Sequence, residues 1–91
     1  MEPRYVRVRE LMEADVDDEL VALDPQDGLC FGFNSVATSV WKLLGSPRSL
    51  TDLQSSLSEE YEVSPEQCRA EVQELVDQLA AKGLVRATRP G

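Results

Sequence analysis

The side chains that carry most protein chemistry are few in this sequence of 91 residues, and their spacing narrows what it can do. There is no histidine, which removes the commonest general base and the commonest transition-metal ligand. Cys30 and Cys68 stand far apart with no Cys-x-x-Cys pair, so no zinc site of four N, S or O ligands follows from the spacing. Neither thiol has a histidine to activate it. Both are expected to be reduced, buried thiols, Cys68 on an apolar helical ridge. Carboxylates are plentiful, as Asp17/Asp18, Glu59/Glu60 and the set Glu71, Glu74 and Asp77. Glu71 and Glu74 share a helix face opposite the Cys68–Leu75–Leu79 ridge. A carboxylate on such a wet face keeps an ordinary pKa and makes a poor general acid. The expectation is a protein that is not an enzyme and holds no cofactor and no metal.

Charge narrows the choice of partners. Nine Lys and Arg face 17 Asp and Glu, a formal net charge of −8. Phosphate backbones are bound by cations, so a nucleic-acid partner is not expected. A winged-helix DNA-binding regulator is the competing reading of another class, but Arg69 is the sole cation between Asp52 and Asp77. No apolar run approaches the ~20 residues of a membrane span, and the first ten residues are too charged for a signal sequence. These features predict a single cytoplasmic domain over residues 1–91 with no membrane partner.

The elements that must carry any site follow from periodicity. Residues 4–9 alternate apolar and basic, as in a half-exposed strand. From Glu10 to Asp27 the chain is acidic without one basic residue, and most of it reads as solvated loop around a strand over 19–24. Asp24-Pro-Gln-Asp-Gly28 is a turn, with proline pre-setting φ and glycine free to take positive φ. Leu29–Phe33 then returns as the second arm of a hairpin, with Leu29, Phe31 and Phe33 on one face.

Asn34 or Ser35 caps a first helix whose Val36, Val40, Trp41, Leu43 and Leu44 form an apolar face ended by Gly45-Ser-Pro47. Leu50, Leu53, Leu57 and Tyr61 stripe a second helix. Ser64-Pro65-Glu66-Gln67 opens a third, predicted over 65–82, with Cys68, Val72, Leu75 and Leu79 inward and Gly83 at its end. Leu84–Thr88 reads as a short strand or packed tail, and 89–91 is expected to fray. The order predicts an α+β, winged-helix-like fold, a three-stranded antiparallel sheet followed by three helices.

Within that frame Leu29–Phe33 is distinctive, being apolar, uncharged and free of proline. Edge strands normally carry lysine, proline or charge to discourage pairing. Either this strand is an edge that accepts a foreign strand, with Gly32 permitting close backbone approach, or Leu84–Thr88 covers it. The same bare edge would also allow the chain to pair with itself.

The run Val21-Ala-Leu-Asp24, turn, Gly28-Leu-Cys-Phe-Gly-Phe-Asn34, then Ser35-Val-Ala-Thr-Ser-Val-Trp-Lys-Leu-Leu44, resembles the PqqD-like family. So does the continuation through Leu50, Leu53, Leu57, Tyr61 and Val63 to Cys68, Val72, Leu75, Leu79 and Gly83-Leu-Val85. Members are also called RiPP precursor peptide recognition elements, and the resemblance spans about 19–86. It implies a winged-helix-like, non-catalytic domain that binds the leader segment of a ribosomally made precursor peptide and presents it to a leader peptidase or other modifying enzyme.

The leader would add antiparallel to the third strand, here Leu29, Cys30, Phe31, Gly32 and Phe33, against the third helix. Periodicity selects Arg69, Val72, Gln73, Val76, Asp77 and Ala80 as the flanking helix positions. Cys30 departs from the Tyr or Val more usual in the family. Stand-alone members of this length are similar to the recognition proteins of lasso-peptide pathways. The alternative is the version serving pyrroloquinoline quinone assembly with a radical-SAM partner. The acidic surface predicts Lys or Arg near the leader's docking segment.

Overall fold

The computed structural model describes residues 2–88, so the expectation of fraying at 89–91 lies outside the described residues. The chain runs β1 (Arg4–Arg7), β2 (Met12–Val16), β3 (Glu19–Leu23), β4 (Cys30–Phe33), α1 (Ser35–Leu43), β5 (Arg48–Ser49), α2 (Leu50–Glu60), α3 (Pro65–Ala81) and β6 (Val85–Thr88). The α+β class and the three helices are as expected. The strands form two antiparallel sheets rather than one, ordered β5-β1-β6 and β2-β3-β4.

Two corrections follow. The N-terminal strand stops at Arg7 and joins β5 and β6, with Tyr5 opposite Arg48 and Ala87, instead of lying beside the hairpin. The acidic stretch expected as loop contains β2, paired with β3 from Met12↔Leu23 to Val16↔Glu19. Its pattern is inverted. Glu13 turns inward to accept from Trp41 Nε1 at 3.0 Å, Asp15 accepts from Lys42 Nζ at 3.2 Å, and Met12 and Val16 stay exposed. A strand exposed along its whole length, held by polar contacts to α1, does not read as a strand from hydrophobicity alone. Asp17, at φ +59°, turns the chain between β2 and β3, a conformation Asp tolerates better than most residues.

The helix starts are local and match the sequence. Asn34 caps α1 by accepting from Ala37 N at 2.9 Å. Ser49 and Asp52 form a reciprocal capping box on α2. Ser64 caps α3 ahead of Pro65. Gly83, at φ +74°, closes α3, and the Leu84 amide folds back to Leu79 O at 3.0 Å, the left-handed C-terminal device that glycine permits.

One core joins both sheets to the helices. Trp41, Leu44, Leu53, Val76 and Leu84 are wholly inaccessible, and Leu20, Ala22 and Phe33 bring β3 and β4 into the same cluster. On α3 the buried ridge is Cys68, Val72, Val76 and Leu79. Val76 takes the place expected of Leu75, which is left half-buried at the core's margin.

Candidate functional site

The hairpin holding β4 is anchored from its turn. The Asp24 carboxylate is buried and accepts from Gln26 N at 2.9 Å and Asp27 N at 3.4 Å, while Arg9 Nη1 reaches Asp24 at 2.6 Å and Asp27 at 2.9 Å. Burial pushes the Asp24 carboxyl up, but the bonds from Gln26, Arg9 and Asp27 outweigh it and hold the group below its usual 3.8. A depressed folded pKa adds stability that is complete above the unfolded value and is lost as pH falls through the folded one. The melting-temperature gap between the wild type and Asp24→Asn should therefore narrow as pH drops below about 4. A gap independent of pH would remove Asp24 as an anchor.

The backbone phase of β4 follows from one bond. The register pairs Leu20↔Phe33, Val21↔Gly32, Ala22↔Phe31 and Leu23↔Cys30, and Asp24 N donates to Leu29 O at 2.8 Å just beyond it. Hydrogen-bonded pairs alternate along an antiparallel ladder. Phe31 and Phe33 thus spend their N–H and C=O groups on β3, whereas Cys30 and Gly32 point theirs away from it. Among the described residues no strand lies on that side, because β6 is committed to β1. Two donors and two acceptors stand free on one edge. In the unliganded protein the amides of Cys30 and Gly32 should exchange with solvent faster than those of Phe31 and Phe33. The reverse order would mean a different ladder phase.

Beside that edge runs a groove of about 270 Å³, lined on the strand side by Cys30 to Asn34 with Ala37, and on the helix side by Leu75, Gln78, Leu79 and Lys82. Phe31, Phe33, Leu75 and Leu79 give it apolar side chains beside the polar Asn34, Gln78 and Lys82. Phe33 stacks on Trp41 at 5.6 Å and 20°, and Lys82 Nζ stands 5.8 Å from the centre of the Phe31 ring. Nothing lies within 4 Å of where a Gly32 Cβ would be, so the strand meets open space there. Both cysteines are free thiols; Cys68 is buried as expected, but Cys30 is exposed, because it sits on the face of β4 opposite Phe31 and Phe33. Two larger hollows, about 450 and 460 Å³, are walled largely by charged side chains, among them the ion pairs Arg7–Glu13 and Lys42–Asp15.

The strand residues named from sequence are thus brought together, with Leu29 exposed just outside β4. The helix residues are not. Val72 and Val76 are core, Arg69 bonds Glu2, Thr51 and Gln54, Gln73 donates to Asp77 at 2.9 Å, and Ala80 is exposed. None of the six lines the groove. Periodicity identifies a helix's faces but not which neighbour each face meets, and here the strand meets the flank of Leu75, Gln78 and Lys82. The half-apolar, half-polar character of that flank was its one signal. Among the described residues no group of His, Cys, Asp or Glu could hold a metal ion, and no helix is long and apolar enough to cross a membrane. Arg69, the sole cation between Asp52 and Asp77, is paired with Glu2 at 3.1 Å.

Among the described residues, the β4 edge of this α+β body thus lies unpaired beside a groove walled by α3. The chain belongs to the family described as coenzyme PQQ synthesis protein D (PqqD), whose sequence pattern matches residues 19–85. Two solved structures are similar to nearly all of it. TbiB1 in complex with the TbiA(beta) leader peptide is 25% identical, with a TM-score of 0.78, covering 93% of this chain and 99% of that one. Lasso peptide synthetase B1 complexed with the leader peptide is 26% identical, with a TM-score of 0.76, covering 90% and 96%. No curated protein sequence matches the chain.

Proposed function

We propose that this chain is a single, non-catalytic domain that binds the leader segment of a ribosomally made precursor peptide. The leader docks as an added antiparallel strand on Cys30–Phe33 and is presented to a maturation enzyme, a leader peptidase in a lasso-type pathway. The observation that carries this is the outward-facing backbone of Cys30 and Gly32 beside the groove. The two similar structures were both solved with a leader peptide, which supports leader binding by this chain.

On the helix side the reading extends the contact to Leu75, Gln78 and Lys82, which line the groove. The net charge of −8 favours Lys or Arg in the leader outside the docked stretch. The family description favours a second reading, in which the precursor is that of coenzyme PQQ and the partner a radical-SAM enzyme. The two differ in cargo and partner, not in docking edge.

Amide exchange tests docking directly. With the leader of a precursor encoded beside this chain's gene, protection should appear at Cys30 and Gly32, accompanied by shift changes along residues 75–82. Changes scattered over α2 or the β5-β1-β6 sheet would refute strand addition at β4. Concentration-dependent protection of the same amides without peptide would instead mean that the chain pairs with itself.

A further inference from the structure

Lys82 is the one charged side chain lining the groove among the described residues. Arg7, Arg9, Lys42 and Arg69 each reach a carboxylate within 4 Å, whereas Lys82, like Arg4, Arg48 and Arg86, reaches none among the described residues. Of these four, only Lys82 lines the groove. A cation at a helix C-terminus is favoured by the helix dipole wherever it points. Lys82 does not turn back onto the last carbonyls of α3; its ammonium stands over the Phe31 ring, on the groove side.

Strand pairing then fixes what would meet it. A guest bonded to Cys30 and Gly32 places the residue opposite Phe31 on the same side of the sheet as Phe31, facing α3. Directly opposed side chains lie about 5 Å apart. An Asp or Glu at that position comes within reach of Lys82, whose ammonium stands over the Phe31 ring.

We propose that Lys82 is a specificity-determining residue which pairs with a carboxylate of the docked peptide, so that the groove prefers an extended apolar segment carrying one acidic residue on its helix-facing side. This rests on the reading of β4 as the docking edge. It is compatible with a leader that is basic elsewhere, because long-range attraction acts on the whole peptide and Lys82 acts on one residue.

The test is selection of a displayed library of random dodecapeptides on the immobilised protein, followed by affinities of the synthesised winners. Wild type should enrich Asp or Glu at one position, and exchanging it for Gln should weaken binding about three- to tenfold. Lys82→Glu should shift the enrichment at that position to Lys or Arg, and Lys82→Met should abolish the preference. Because Lys82 is exposed and not in the core, the amide spectra of both variants should stay folded. Winners that protect the Cys30 and Gly32 amides, yet bind equally well with Gln and to Lys82→Glu, would overturn the role of Lys82 alone. Winners that leave those two amides unprotected would overturn the docking edge and the inference with it.

Discussion

Gly32→Pro should abolish peptide docking while leaving the fold in place. The Gly32 N–H points away from β3, so proline removes no internal ladder bond, and proline is tolerated on strand edges for that reason. No atom lies close to where a Gly32 Cβ would sit. For a guest strand the change is severe. One of two outward donors is lost, the guest carbonyl it served is stranded, and the ring occupies the line along which the guest backbone must approach.

Affinity should fall by a factor on the order of 100 or more, with only a small shift in melting temperature. Phe33→Pro, by contrast, removes an N–H that serves β3 and should destabilise the protein itself. Arg69→Ala, which alters a surface contact with Glu2 far from the groove, should leave affinity unchanged. Binding that survives Gly32→Pro would mean that peptide is held by side chains rather than by main-chain pairing.

Trp41→Ala should produce the largest loss of stability. Trp41 is wholly buried, stacks on Phe33, lies beneath the Arg7 guanidinium at 5.0 Å and donates to Glu13. Truncation leaves a cavity between α1 and the β2-β3-β4 sheet and removes the indole donor, leaving Glu13 to Arg7 and solvent. Large-to-small changes of this kind cost about 3–5 kcal/mol, against a total of roughly 5–15 kcal/mol for a small domain. The melting temperature should drop by about 15 °C or more.

Because Phe33 rests on this ring, peptide affinity should fall as well, even well below the new melting temperature. Trp41→Phe keeps an aromatic partner for Phe33 and loses only the indole donor, so its penalty should be nearer ~1–2 kcal/mol. A drop of less than about 5 °C for Trp41→Ala would show that the stack is not what supports β4.

Much of this was legible in residue order because it is set within a few residues. The caps at Asn34, Ser49 and Ser64, the bend from Asp24 to Gly28 and the stop at Gly83 depend on side chains bonding to adjacent backbone, whatever the rest of the chain does. The run Leu29–Phe33 also advertised itself, since an apolar strand without lysine, proline or charge is unusual at an edge. β2 was hidden because its inward carboxylates are satisfied by Trp41 and Lys42, more than twenty residues later.

Composition and periodicity by themselves determined an acidic α+β module with three amphipathic helices and one unguarded strand. Tertiary structure alone decided that β6 pairs with β1 and so leaves β4 free, and that α3 turns Leu75, Gln78 and Lys82 toward it rather than the flank of Arg69 and Gln73. The physical reason is range. Helix and strand periods record how a segment divides its apolar and polar faces, but which neighbour occupies each face is settled by packing between segments distant in the chain.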